Sequence, residues 1–205
     1  MLDLAMLAVF IPTFFFVSIT PGMCMTLAMT LGMSIGVRRT LWMMIGELIG
    51  VAIVAIAAVL GVASIMLNYP DIFELLKWFG GAYLAYVGVN MWRAKGKMSI
   101  GENKLSDVSR SALFTQGFVT AIANPKGWAF MISLLPPFIN VDRAVAPQLL
   151  VLLSVIMVTE FTSMMAYATG GKSLRRVLSR GDNIQWMNRI AGSLMIGVGI
   201  WLALG

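Results

Sequence analysis

An all-α membrane protein is the fold class this sequence predicts, and three observations carry that reading. Hydrophobic residues make up 59% of the 205 residues and charged residues only 12%, outside the composition of a soluble domain. The mean hydropathy is +0.87. Six apolar runs, each close to the ~20 residues that cross a bilayer core, alternate with short polar stretches. They use so much of the chain that residues 1–205 read as one polytopic domain with no separate soluble part.

The first run, 4–29, follows Asp3 rather than a basic stretch and lacks a small-residue cleavage site, so it reads as a retained helix and not a signal peptide. Runs at 41–67, 72–92, 113–138, 148–169 and 186–204 follow. Turn chemistry marks the joints: Asn68-Tyr69-Pro70-Asp71, Pro136-Pro137 and Asn140-Val141-Asp142. Proline lacks a donor there, and Asn and Asp bond their own backbone.

Charge orders the loops. Arg38 and Arg39 fall in the first loop, and Arg93, Lys95, Lys97, Lys104 and Arg110 in or beside the third, at 93–112. Lys172, Arg175, Arg176, Arg180 and Arg189 lie in or beside the fifth, which accounts for twelve of the fifteen basic residues. The second loop has none and the fourth only Arg143. The positive-inside rule therefore predicts loops one, three and five in the cytoplasm and both termini outside. The net charge of +6 is explained by these loops, which attract anionic membrane lipid, and gives no reason to expect nucleic acid. Trp42, Trp92 and Trp186 sit at run ends, where indoles anchor at the interface.

The chain has no histidine and one cysteine, Cys24. That excludes a histidine-ligated metal site, a histidine-based triad and an internal disulfide, and no nucleophile–base spacing suggests an enzyme or a cofactor.

Two places break the apolar pattern. Proline in a helix removes one hydrogen bond and frees the carbonyl four residues earlier, which in lipid must find another partner. Thr20-Pro21-Gly22 in the first run would free the carbonyl of Val17, and Gly22 would ease the unwinding. Asn124-Pro125-Lys126 in the fourth would free that of Ala121 and adds a cation near mid-depth. Both open a three-helix half, and because three is odd the halves must insert with opposite orientation. The prediction is six spans in two inverted repeats, with helices 1 and 4 broken at proline, the pattern by which many transporters build a central site. Glu47 and Glu160 are the acidic residues able to face Lys126, either as an ion pair that orients helices or as charge handlers for substrate and protons. Glu160, Ser163 and Tyr167 share a helical face, Gly46 and Gly50 bracket Glu47, and Ser18, Gly22, Thr26 and Thr30 form a small polar stripe.

In order along the chain, Thr20-Pro21-Gly22, Gly46-Glu47-Leu48, Lys77-Trp78-Phe79-Gly80-Gly81-Ala82-Tyr83-Leu84, Asn124-Pro125-Lys126, Leu134-Leu135-Pro136-Pro137-Phe138 and Asn188-Arg189-Ile190-Ala191-Gly192 resemble the LysE/RhtB family of bacterial amino-acid exporters. The resemblance runs the whole length. It implies a proton-driven inner-membrane exporter of amino acids or related small metabolites, with a homodimer as an assembly it allows. The family pattern continues Pro-Gly-Pro-Asn where this chain has Met23 and Cys24, which points toward a less polar substrate. A passive channel lined by the same residues is the alternative. A thiol–disulfide carrier, a distant relative of this fold, is disfavoured by the lone cysteine.

Overall fold

The computed structural model describes residues 4–93, 108–140, 142–178 and 181–204. All regular structure among them is helical: α1 Leu4–Ile19, α2 Met23–Ile35, α3 Val37–Asn68, α4 Pro70–Arg93, α5 Arg110–Ile122, α6 Pro125–Leu134, α7 Val145–Leu178 and α8 Gly181–Leu204, with one 3₁₀ turn at Pro136–Phe138. Most of the basic third loop lies outside the described residues.

Helix ends follow local chemistry. Gly36 separates α2 from α3 at φ 83°, ψ 154°, a conformation essentially restricted to glycine. Pro70 opens α4 after a single linking residue, where a missing N–H costs nothing. Ser109 caps α5 by accepting the Ala112 N–H. The fourth loop is tied by Gln148, whose side chain accepts the Asn140 N–H at 2.9 Å and donates to the carbonyls of Asn140 at 2.7 Å and Ala144 at 3.0 Å. Gly171, at φ 36°, ψ −119°, kinks α7 before its basic tail.

Two helices among the described residues are long and apolar enough to cross a membrane, Val37–Gly61 and Val145–Gly171, and α1 with α2 makes a third if taken together across a 55° bend. Their outward faces are apolar. On α3 the exposed residues are Trp42, Ile45, Ile49, Ile53, Ile56 and Leu60, a stripe at three- and four-residue spacing that would be a liability in water and suits lipid.

Hydrophobic packing forms two clusters. One gathers Phe10, Phe14, Leu134, Leu135, Phe138, Leu152, Ile156 and Met195; the other gathers Met25, Met29, Met43, Met44, Leu113, Met164 and Tyr167. Three helix pairs approach closely enough that a side chain would not fit between them. Gly46 lies against the Phe114 carbonyl and Gly117 against that of Met43, joining α3 to α5; Gly81 meets Gly199 and Gly88 meets Gly192, joining α4 to α8; Gly32 meets Ala168, joining α2 to α7.

Candidate functional site

A cavity of about 400 Å³ opens between the two clusters. Thr20, Pro21 and Gly22 line it from the segment between α1 and α2, Asn124 and Gly127 from the start of α6, Glu47 from α3 and Glu160 from α7. Six of the eight residues singled out in the sequence therefore face one space. Pro125 and Lys126 open α6, but their side chains lie outside the described ones, as does the expected pairing of Lys126 with a carboxylate.

The position of Glu47 follows from its neighbours. Gly46 and Gly50 pack onto α5, and the residue after Gly46 is turned about 100° from that seam. Glu47 is thereby directed into the cavity and left 1% exposed. The Cys24 side chain hydrogen-bonds it, and Glu160 is its electrostatic neighbour. Glu47 Oε2 has no hydrogen-bond partner among the described residues. Buried polar atoms are rarely left in that state.

Sequence reasoning missed how the interruptions are held. Tyr167, buried on α7, donates to the Ile19 carbonyl at 2.8 Å, and Thr20 Oγ1 donates to that of Phe16 at 2.6 Å. At the other interruption the Trp128 indole donates to the Ile122 carbonyl at 2.8 Å. The carbonyl expected to be freed there, Ala121, instead accepts the Asn124 N–H at 3.2 Å, because the chain turns tightly before Pro125. Tyr167 carried a signal, lying two turns after Glu160 on one face; Trp128 carried none. Gly22 also differs from expectation: at φ −139°, ψ −172° it is extended, a conformation open to any residue.

Of the small polar stripe, Ser18 and Gly22 reach the cavity, with Ser18 Oγ donating to Ser163 Oγ at 3.4 Å. Thr30 bonds back to the Thr26 carbonyl at 2.8 Å. The N-terminus of α2 faces the cavity as well: Gly22 provides no side-chain cap, and Met23, Cys24 and Met25 precede the first helical bond, from Thr26 N to Gly22 O at 2.9 Å. The cavity lining thus brings Glu47 and Glu160 together with the start of α2, the positive end of a helix dipole.

A family model for LysE type translocators matches residues 15–205, which include every residue placed at this cavity except Phe14. The chain belongs to the LysE type translocator family. Membership makes the protein a transporter and not an enzyme. The translocator is 29% identical over 186 residues to an uncharacterized membrane protein of Vibrio cholerae, with 91% of this chain and 90% of the relative covered. With the same coverage it is 28% identical to the homoserine/homoserine lactone efflux protein of Salmonella typhimurium. Over 190 residues, 92% of this chain and 90% of the relative, it is 25% identical to the leucine efflux protein of Klebsiella pneumoniae. No solved structure matches it.

Proposed function

We propose that this translocator is a proton-coupled secondary exporter of amino acids or related small metabolites across the bacterial inner membrane. The relatives named for homoserine and leucine efflux support the substrate class. The observation that carries the reading is the convergence of both proline interruptions and both carboxylates on one cavity. Thr20, Pro21, Gly22 and Asn124 form the unwound walls, Pro125 marks the second interruption at the start of α6, and Lys126, Glu47 and Glu160 handle the charge of substrate and proton.

The architecture that goes with it is a single domain of six spans in two inverted three-helix repeats. α1 with α2 and α5 with α6 are the broken first helices of each half. The pairing of helices supports this arrangement: α4, third in its half, packs on α8, third in the other, while each broken helix packs on the second helix of the opposite half. Loops one, three and five face the cytoplasm and both termini lie outside. Arg39 donates to the Val108 carbonyl at 2.6 Å, Arg110 stacks on Trp42, and Arg189 lies over Trp92 and Trp186. These contacts gather the ends of those three loops into one basic and aromatic belt, as a cytoplasmic interface requires.

The test is efflux of labelled leucine and homoserine from proteoliposomes, with and without an imposed pH gradient, for the wild type, Lys126→Ala, Glu47→Gln and Glu160→Gln. The expected result is wild-type efflux accelerated by the gradient and reduced at least about tenfold in each variant that still inserts and purifies. Flux that never moves substrate against its own gradient would replace the carrier with a channel. Equal efflux from all samples and from empty liposomes would remove the proposal.

A further inference from the structure

At the end of the α4–α8 pair stands a cation that the transport cavity does not use. Trp92, in the last turn of α4, lies across α8 where Gly192 leaves room for it. Its Cδ1 comes 3.1 Å from where a Cβ on Gly192 would stand, and its indole N–H donates to Ser193 Oγ at 3.0 Å. Arg189, one turn before Ser193, has its guanidinium carbon 4.9 Å from the centre of the Trp92 ring system and 5.9 Å from that of Trp186, three residues earlier on α8. Two indoles thus hold a planar cation in one place. They attract its charge but offer no acceptor to its five N–H groups.

Arg189 is half-buried, its Nε is out of solvent, and among the described residues its guanidinium makes no hydrogen bond and no ion pair. Its basic neighbours in the belt differ: Arg39 donates to the Val108 carbonyl at 2.6 Å, and Arg38 and Arg93 are exposed, where water solvates them. A cation taken partly out of water calls for an anion. The surface around Arg189 is apolar, with Trp92, Trp186 and Ile190 exposed. From there the outward face of α8 runs through Ser193 and Gly197, both exposed, to Ile200, and Gly197 has nothing within 4 Å of where a Cβ would lie. The rise from Arg189 to Ile200 is about 16 Å of helix, close to one leaflet of a hydrocarbon core about 30 Å thick. A guanidinium at the level of interfacial indoles, with a smooth apolar track leading inward, suits a phosphate that carries an acyl chain; free phosphate would use the guanidinium alone.

We infer that Arg189, Trp92 and Trp186 form a binding site for an anionic phospholipid. The guanidinium donates to the phosphate, the two indoles hold the guanidinium flat and partly dry, and an acyl chain lies along α8 over Ser193 and Gly197. The site lies outside the cavity and stands whether or not the exporter reading does.

The experiment titrates the full chain, purified in a neutral detergent, with phosphatidylglycerol. Bound lipid is counted by native mass spectrometry, and stability is followed as the thermal unfolding temperature. The wild type is expected to retain the lipid and to unfold at a higher temperature with it. Arg189→Gln is expected to bind at least about tenfold more weakly. Trp186→Leu, a change at an exposed ring that folding tolerates, is expected to bind at least about threefold more weakly. Arg38→Gln removes the same charge from the first loop and is expected to bind as the wild type does. Phosphatidylcholine, whose own ammonium offsets its phosphate, and inorganic phosphate are expected to produce neither effect at equal concentration. Wild-type binding by Trp186→Leu, or equal losses in Arg38→Gln and Arg189→Gln, would reduce the site to general attraction between a basic surface and anionic lipid and overturn it. Displacement of phosphatidylglycerol by an equal concentration of inorganic phosphate would overturn the lipid as ligand, and equal binding of phosphatidylcholine would overturn the requirement for net negative charge. If Arg189→Gln fails to purify, Trp186→Leu decides alone.

Discussion

Where α4 meets α8 and α3 meets α5, backbone lies directly on backbone; between α1, α2, α3, α6 and α7 the helices enclose a cavity of about 400 Å³. The two kinds of region are made from the same apolar composition and differ in two residue types. Glycine at the crossings removes every atom that would hold the axes apart, so close van der Waals contact and main-chain dipoles hold the pair where lipid provides no hydrophobic drive. Proline at the interruptions removes a donor, so the helix ends and its terminal groups face inward. The glycine seams give the molecule pairs that cannot slide or separate without losing all their contact. Between such pairs a helix can be interrupted without the structure closing over the gap.

Enlarging a seam glycine should therefore have the largest effect on stability. A side chain at Gly117 would meet the Met43 carbonyl, and one at Gly88 the Gly192 carbonyl, both backbone atoms that cannot turn aside. Gly117→Leu and Gly88→Leu are expected to cost about 3 kcal/mol or more, seen as loss of monodisperse protein or a large fall in thermal unfolding temperature in detergent. Gly61 and Gly197 are the controls, since a Cβ at either meets nothing within 4 Å. Alanine at these two positions should be neutral or stabilise by up to about 1 kcal/mol. Equal losses at seam and control positions would mean that the seams do not carry the fold.

The cavity side of the comparison is tested at the bonds that hold the interruptions. Tyr167 is 2% exposed, and its hydroxyl donates to the Ile19 carbonyl at 2.8 Å. Tyr167→Phe keeps the ring and removes the donor, leaving a buried acceptor at an expected cost of about 1–2 kcal/mol. Thermal unfolding reads the loss. Transport should weaken through the substrate concentration dependence, because the segment that lines the cavity is then less well fixed. An unchanged unfolding temperature would mean that the carbonyl finds another donor.

Much of this was legible in the sequence, and the reasons for success and failure are physical. Proline and buried carboxylates announce themselves, since each is costly in lipid, and so Thr20, Pro21, Gly22, Glu47, Asn124 and Glu160 could be named before they were seen to share a cavity. The helical character of the chain was equally plain from its apolar runs. Partners were harder to read, because a hydrogen bond across 148 residues, as between Tyr167 and Ile19, leaves no local pattern. The seams were half visible. Gly46 and Gly50 stood out by their spacing around Glu47, but that Gly117 closes on Met43 depends on a register between helices that no single helix encodes.

The smallest expected effect separates two reasons for having glycine, and it corrects the sequence reading of Gly22. Gly36 has open space around it, yet its φ of 83° is strained for any other residue. Gly22 has the Thr20 carbonyl 3.9 Å from where a Cβ would lie, an ordinary contact, and its backbone is extended. Counting neighbours would rank Gly22 as the more sensitive, whereas backbone conformation ranks Gly36 first. Gly36→Ala should destabilise more than Gly22→Ala by about 1 kcal/mol, measured by thermal unfolding of the two variants side by side. The reverse order would restore to Gly22 the conformational role that its position beside Pro21 suggests. The expected order leaves the interruption to Pro21 alone and makes Gly22 a matter of room in the cavity.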